Sequence, residues 1–184
     1  MFPLFLRLEG RRVVVVGAGI VATGKVRELL GCGARLTVVA PRASDVVSAL
    51  AASGAIELRR RPFVASDLDD AWLVAAATDD GAVQAEVART ADERRVWLIA
   101  VDDVAHATAY SGSVLRRPPF LVAISSSGAA PALTRLVREV LESALPAESW
   151  VDAARALRAD WKSRGTPMGD RFAELVRAFS ERAR

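Results

Sequence analysis

The stretch Val13-Val14-Val15-Val16-Gly17-Ala18-Gly19-Ile20-Val21-Ala22 decides the fold, because a β-branched run leads through two glycines into a helical pattern. Four consecutive valines are typical of a strand that is buried on both faces of a sheet. Gly17 permits a tight turn, Gly19 lets a ligand approach the backbone, and Ala22 lets the helix pack closely on the strand. The stretch predicts a strand, a turn and a helix whose free amides bind a pyrophosphate. A tight turn without a ligand is the alternative.

The same alternation of strands and helices continues to about residue 101. Short apolar runs occupy residues 35–39, 55–60, 72–77 and 96–101, and helical patterns lie between them. Buried strands that alternate with helices form parallel sheets with right-handed crossovers. The pattern therefore predicts an α/β fold, a Rossmann-like doubly wound parallel sheet, with its ligand site beyond the carboxyl ends of the strands. The order of the strands in the sheet is left open.

The pattern changes after residue 101. A polar loop is followed by two short strands, which flank Arg116-Arg117-Pro118-Pro119. A helix with Pro131 in its first turn is expected to stop at Pro146, and two more helical segments follow at about 148–163 and 167–182. We therefore predict three regions: a Rossmann-like domain at 1–112, a small α+β region at 113–146 and a helical region at 147–184.

The composition limits the chemistry. The 184 residues contain one His and one Cys, too few for a Cys/His zinc site or an intrachain disulfide. We expect no protein-held metal, and a reaction that relies on carboxylates, hydroxyls, backbone groups or a cofactor. The net charge of +3 permits an anionic ligand and does not indicate nucleic acid. The longest apolar stretch is too short for a membrane span and the start lacks a secretion signal, which predicts a cytoplasmic protein.

Two pairs of acidic residues are candidates for function. Asp102 and Asp103 follow the fifth predicted strand, where one of them would face the ligand site as a general base; an acidic turn is the alternative. Asp79 and Asp80 precede a helix, and capping of that helix explains them. His106 lies four residues beyond Asp102, and it either reaches the same pocket or is a solvated loop residue.

Two other segments bear on the ligands. Ser125-Ser126-Ser127-Gly128 precedes a helix, where hydroxyls and free amides attract anions, although simple capping explains them as well. The second strand ends in Val39-Ala40-Pro41-Arg42, without the acid that usually holds the ribose of NAD. Arg42 could instead bind the 2′-phosphate of NADP, or it is a solvated loop residue. The residues alone therefore do not decide between NAD, NADP and S-adenosylmethionine as the ligand.

Ten stretches of the chain resemble one known family, in the family's own order from residue 2 to about 146. They are Phe2-Pro3-Leu4-Phe5-Leu6, Gly10-Arg11, residues 15–22 with Lys25, Gly33-Ala34, residues 38–41, residues 76–80, Val101-Asp102-Asp103, residues 122–128, Pro131-Ala132-Leu133 and residues 141–146. The family is that of precorrin-2 dehydrogenase, which includes the N-terminal part of siroheme synthase and the stand-alone dehydrogenase/ferrochelatase enzymes.

The resemblance implies NAD-dependent oxidation of precorrin-2, an anionic tetrapyrrole, to sirohydrochlorin in siroheme or cobalamin synthesis. It implies a homodimer built through the region after about residue 112, with the helical C-terminal region over the active site. Insertion of Fe²⁺ or Co²⁺ as a substrate is left open. Since the family uses NAD although it too lacks the usual acid, the cofactor expected here is NAD.

The resemblance also assigns residues. Asp102 matches the catalytic aspartate of the family, proposed to act as a base. The matched motifs carry the expected cofactor contacts, Gly17, Gly19, Ile20, Val21, Ala40, Pro41, Thr78 and Asp79. The expected substrate contacts are Ser125, Ser126 and Gly128, with His106 added for its place in the loop.

The chain departs from the family's pattern at Gly24, Ile99, Ser127, Ala130 and residues 109–112. Most of these departures fall around the expected substrate pocket, so they bear on substrate and chelation more than on the dinucleotide. They keep two alternatives open: a non-catalytic regulatory module that binds NAD(H), and a chelatase without dehydrogenase activity.

Overall fold

The chain forms two compact units, Met1–Ser111 and Gly112–Arg184, in a computed structural model that describes residues 1–145 and 148–182. The predicted helix stop at Pro146 and the predicted boundary between 146 and 147 lie outside the described residues.

The first unit is a five-stranded parallel sheet covered by helices. Its strands lie in the order β3-β2-β1-β4-β5. They are β1 (Arg12–Val16), β2 (Arg35–Val39), β3 (Glu57–Arg59), β4 (Leu73–Ala76) and β5 (Trp97–Ala100). The helices are α1 (Ile20–Leu30), α2 (Asp45–Ala52) and α3 (Gly81–Arg94), with a short 3₁₀ helix at Ala65–Leu68. The predicted α/β doubly wound parallel sheet is confirmed.

The valines of β1 divide between the two faces of the sheet, as the alternation of side chains along a strand requires. Val13 and Val15 belong to the core that includes α1 and α2. Val14 and Val16 belong to the core that includes α3. Because both faces are covered, all four side chains are 3% exposed or less. This double burial explains the unbroken apolar run.

The sheet order places a topological switch point between β1 and β4. From β1 the chain crosses through α1 to β2 on one side, and β4 lies on the other side of β1. Ligands of doubly wound folds bind at such a point, beyond the carboxyl ends of the two strands. β1 is followed by Gly17 and β4 by Ala77, so the glycine turn lies at the switch point.

The second unit contains a hairpin and three helices. The antiparallel strands are β6 (Ser113–Arg117) and β7 (Phe120–Ile124), and the helices are α4 (Pro131–Ala144), α5 (Glu148–Arg164) and α6 (Met168–Arg182). α5 and α6 are joined by a hydrogen bond of 2.7 Å from the Trp161 Nε1 to the Glu174 Oε2. No helix among the described residues is long and apolar enough to span a membrane.

The prediction that the two strands flank Arg116 and Arg117 was wrong. Both continue β6, and only Pro118 and Pro119 connect it to β7. The Arg117 guanidinium donates to the carbonyl oxygens of Glu142 and Leu145, at 3.0 and 3.1 Å. These carbonyls lie at the end of α4, where no further helical turn satisfies them. Arg117 therefore helps to terminate this helix.

Asp67 is the centre of a buried ion cluster beside β3. Its carboxylate is fully buried and accepts from the Arg59 Nη1 at 2.7 Å, the Arg61 Nη1 at 2.7 Å and the Val64 amide at 3.0 Å. Burial alone would raise the pKa of Asp67, but the bonds from Arg61, Val64 and Arg59 outweigh it and lower the pKa to about 2. A carboxyl group with a lower pKa in the folded state stabilises that state only while it is ionised.

We expect Asp67→Asn to lower the free energy of unfolding at pH 7 by about 2–4 kcal/mol, because two arginines lose their buried partner. The wild-type contribution is present above the unfolded pKa of about 4 and is lost as the pH falls towards 2. The difference between wild type and variant should therefore shrink over this interval. Urea denaturation at pH 7, 5, 4 and 2.5 measures it.

Asp69→Asn is the matched control, because Asp69 is mostly exposed and its carboxylate pairs with Arg94 at 3.1 Å. Such surface pairs contribute at most about 1 kcal/mol. A difference between wild type and Asp67→Asn that stayed constant from pH 7 to 2.5 would contradict the titration of Asp67.

Candidate functional site

Gly17 brings the ends of three strands together. Its φ of +105° is a conformation that L side chains rarely adopt, and a Cβ placed on it would lie 2.1 Å from the carbonyl oxygen of Ala77. Its amide donates to the carbonyl of Val39 at 2.9 Å. The turn therefore ties the carboxyl ends of β1, β2 and β4 through backbone atoms alone, and no other residue type fits there.

Gly19 has the opposite surroundings. A Cβ placed on it would meet no atom within 4 Å, and its backbone is extended, with φ −77° and ψ −165°. Gly19 is the N-cap of α1, where no side chain accepts a hydrogen bond from the first amides and no acidic residue occupies the first turn. Ile20, the next residue, is 92% exposed. The start of α1 is thus an open surface of backbone donors, which suits an anionic group.

Two hydroxyl residues that the sequence did not single out hold this turn. The Thr23 hydroxyl donates to the carbonyl of Gly19 at 2.8 Å and lies 3.0 Å from the Ser44 hydroxyl. The amide of Ser44 donates to the carbonyl of Ala18 at 3.0 Å. The position of Thr23, four residues after Gly19, is a signal for this bond, because helical Thr residues often donate to the i−4 carbonyl.

The rim of the switch point carries the other expected cofactor contacts. Val21 is about half exposed, Ala40 is buried and Pro41 is exposed directly after β2. The Thr78 hydroxyl, after β4, accepts from the amide of Asp80 at 3.3 Å.

The expected capping at Asp79-Asp80 is found at the second of the two residues. The Asp80 carboxylate accepts from the amides of Ala82 and Val83, at 2.9 and 3.2 Å. Asp79 is exposed and is left facing solvent at the rim.

Asp102 lies two residues after the end of β5. Its backbone has a φ of +57°, and its side chain is exposed. The preceding residue, Val101, donates its amide to the carbonyl of Ala76 at 3.0 Å and accepts from the Gln84 Nε2 at 3.4 Å. Asp102 is therefore fixed at the sheet edge by the backbone before it, while its carboxylate stays accessible.

Asp103 has a different role from its neighbour. Its Oδ2 lies 2.7 Å from the His106 Nδ1, and its Oδ1 accepts from the His106 amide at 3.4 Å. The expectation was that only one of two adjacent side chains faces the site. The contacts separate them: Asp103 bonds within the loop, and Asp102 does not share this bond.

The loop that carries these residues is anchored at its far end. The amide of Leu98 in β5 donates to the Thr108 hydroxyl at 2.8 Å, and the amides of Thr108 and Ala109 donate back to the Leu98 carbonyl. The Lys25 ammonium of α1 donates to the Ser111 hydroxyl. His106 is thus held in a loop fixed to β5 and α1, within the same unit as the glycine turn.

The serine turn belongs to the second unit. The Ser125 hydroxyl oxygen accepts from the amide of Ser127 at 3.1 Å, and that of Ser126 accepts from the amide of Ala130 at 3.0 Å. Ser127 and Gly128 have φ values of +55° and +83°. The chain thus turns sharply before Pro131, and the serines support this turn, while each hydroxyl hydrogen is left to be donated.

The part of the chain that the structure describes, residues 1–145 and 148–182, holds no metal-binding cluster. No three His, Cys, Asp or Glu side chains lie there as the ligands of a metal ion would.

Two family models match the chain, one in each of its two units. Residues 4–113 match the family described as "Putative NAD(P)-binding", which is more than half of the chain. Residues 122–144 match the family "Sirohaem biosynthesis protein central".

Curated relatives carry the same name in several bacteria. Siroheme synthase 3 of Aeromonas hydrophila subsp. hydrophila is 44% identical over 171 residues, which cover 92% of this chain and 36% of the relative. Siroheme synthase 1 of Serratia proteamaculans is 42% identical over 182 residues, which cover 98% of this chain and 38% of the relative. The chain thus spans little more than a third of the length of these relatives.

A solved structure titled "SirC, precorrin-2 dehydrogenase" has a TM-score of 0.75 and 25% sequence identity, covering 96% of this chain and 88% of that one. The resemblance drawn from the sequence motifs is therefore confirmed, and NAD is the cofactor that the comparisons support. The chain belongs to the putative NAD(P)-binding family, and it is a homologue of the siroheme synthases and of precorrin-2 dehydrogenase.

Proposed function

We propose that the chain is an NAD-dependent dehydrogenase that oxidises precorrin-2 to sirohydrochlorin. The observation that carries the proposal is the open glycine turn at the switch point of the sheet, in one unit with the exposed carboxylate of Asp102. The siroheme synthases and the precorrin-2 dehydrogenase to which the chain is homologous support the choice of substrate. Because the chain spans only part of the siroheme synthases, the proposal concerns the dehydrogenation alone.

The glycine turn suits a dinucleotide. The amides at the start of α1 would hold the pyrophosphate, since Gly19 leaves room for it and no carboxylate in the first turn repels it. Ile20, Val21, Ala40, Pro41, Thr78 and Asp79 border this surface as the further cofactor contacts that we propose. NAD supplies the hydride acceptor when it is bound there.

Asp102 is the proposed base. Oxidation of a C–H bond by hydride transfer also releases a proton, which a carboxylate within reach of the substrate can accept. The Asp102 carboxylate is exposed at the sheet edge while its backbone is held by Val101.

The serine turn is the proposed substrate contact in the second unit. The hydroxyls of Ser125 and Ser126 and the backbone at Gly128 would donate to carboxylate groups of the tetrapyrrole. His106 belongs to the substrate contacts that we propose in the first unit.

The second unit is also the proposed homodimer interface. One stripe of α4 is apolar and 38–58% exposed; it consists of Leu133, Leu136, Val137 and Val140. Apolar side chains exposed along one helix face are typical of an interface. A second copy of the chain is the proposed partner. A cytoplasmic location, the cobalamin branch and the insertion of Fe²⁺ or Co²⁺ stay predictions.

Gly19→Ala tests the cofactor site without disturbing the fold. Since the added Cβ meets no protein atom within 4 Å, we expect an unchanged melting temperature. The methyl group would lie on the pyrophosphate surface, so the dissociation constant for NAD should rise by at least about tenfold, or ~1.4 kcal/mol. Isothermal titration calorimetry measures it, with Gly169→Ala, an equally open position on α6, as the control. Unchanged NAD affinity in Gly19→Ala would move the cofactor away from this turn.

Asp102→Asn tests the base. Asn tolerates the left-handed backbone that Asp102 adopts, so the fold should be kept. We expect kcat with precorrin-2 to fall by about 10²–10⁴-fold, and the affinity for NAD to stay unchanged. Asp70→Asn is the matched control, because Asp70 is exposed and also has a φ of +57°. NADH formation followed by absorbance provides the rate.

The same assay separates the alternatives. NAD binding without NADH formation by the wild type would favour the regulatory module. Metal insertion into sirohydrochlorin without dehydrogenation would favour the chelatase. Turnover by Asp102→Asn at the wild-type rate would remove Asp102 from the mechanism.

Leu136→Glu tests the proposed dimer. The wild type should have twice the 19.6 kDa mass of one chain, and the variant should be a monomer because a charge cannot be buried unpaired in the interface. Light scattering after size exclusion measures the mass. Arg135→Glu, on the neighbouring exposed position, is the control and should stay dimeric. A wild type that is monomeric at micromolar concentration would contradict the interface.

A further inference from the structure

Asp103 and His106 form a carboxylate–imidazole pair to which the proposed reaction gives no part in proton transfer. The distance from the His106 Nδ1 to the Asp103 Oδ2 is 2.7 Å, and the amide of His106 also points at this carboxylate. The side chain of Asp103 is 27% exposed and that of His106 is 57% exposed. The carboxylate is thus the more covered partner, and the ring reaches into solvent.

The pair orients the imidazole in one way. A carboxylate only accepts, so the hydrogen of a neutral ring lies on Nδ1 and the lone pair is left on Nε2. A protonated ring also donates from Nδ1 to the same carboxylate, so the pair is kept in both states of the ring. A histidine with one nitrogen bound to a carboxylate and the other free is the arrangement that enzymes use for proton transfer.

The position of the pair relates it to Asp102. Asp102 is directly followed by Asp103, and His106 lies four residues on in a loop that Thr108 anchors to β5. A base that has accepted a proton must lose it again before the next turnover, so Asp102 needs a proton acceptor of its own. Of the three side chains, only that of His106 has a second ring nitrogen, Nε2, that can take up a proton while Nδ1 stays bonded to Asp103.

We propose that His106, held by Asp103, is the proton acceptor that regenerates Asp102. The inference rests on the proposed dehydrogenation. One C–H bond of the substrate breaks with its electron pair, and this hydride reduces NAD⁺ to NADH. The proton released in the same oxidation goes to the Asp102 carboxylate, then to the His106 Nε2, and from the imidazolium to water. His106 is a proton-transfer residue, and Asp103 is a positioning residue that acts through it.

The ring orientation is tested first, and it needs no substrate. His106 is the only histidine among the 184 residues, so ¹⁵N-labelled protein gives the ring signals of a single imidazole. Long-range ¹H–¹⁵N spectra at high pH should show the hydrogen on Nδ1. Asp103→Asn should shift it towards Nε2, and Asp92→Asn, a substitution on the exposed face of α3, should not. A ring with its hydrogen on Nε2 in the wild type would overturn the proposal.

The proton path is tested by turnover of precorrin-2 in a weak buffer. His106→Gln should lower kcat by about 100-fold with little change in NAD affinity, and added imidazole should restore much of the rate. Asp103→Asn should lower kcat by about tenfold, as loss of an orienting partner does. A merely structural role would not respond to imidazole.

The outcomes distinguish this proposal from the dehydrogenation itself. If the wild type forms no NADH, both fail. If the wild type is active and His106→Gln has the same kcat, or a loss that imidazole does not restore, the dehydrogenation stands and the proton path is wrong.

Discussion

The contact on which the first unit depends is that between Gly17 and the carbonyl oxygen of Ala77. A Cβ at position 17 would lie 2.1 Å from that oxygen, so the ends of β1 and β4 approach more closely than any side chain allows. This approach directs the chain into α1 with its first amides uncapped and with Gly19 open to solvent. The contact is made by backbone atoms, and therefore the surface proposed for the pyrophosphate owes little to charged side chains.

Much of this arrangement follows from the sequence, because it is local. Four valines, two glycines and a helical pattern predict β1, the turn and α1, and Pro131 predicts the start of α4. The order of the strands is not predictable in this way, because it depends on contacts between distant segments. The error at Arg117 has a different cause: Pro118 and Pro119 make the turn by themselves, so Arg117 still pairs with Phe120 in the hairpin. The bonds from its guanidinium to the carbonyls of Glu142 and Leu145, 25 and 28 residues away, do lie beyond a local pattern.

The difference between Asp102 and Asp103 also lies beyond the sequence. Adjacent carboxylates have the same chemistry, and only the bond from His106 to Asp103 gives them separate roles. Asp102 has a left-handed backbone and an accessible carboxylate. The Asp103 side chain is only 27% exposed, and its carboxylate is bonded to His106. Likewise, Thr23 and Ser44 look unremarkable along the chain, although their hydroxyls lie 3.0 Å apart beneath the glycine turn.

The presence of only one His and one Cys is compatible with metal insertion into a tetrapyrrole. When a divalent cation enters a tetrapyrrole, the ring nitrogens become its ligands and two N–H protons leave. Such a reaction asks the protein for proton acceptors and not for a set of metal ligands. One carboxylate and one oriented imidazole, Asp102 and His106, are groups of this kind, whereas a Cys/His site would hold the metal and compete with the macrocycle. A single histidine is therefore no obstacle to chelation, which the resemblance leaves open.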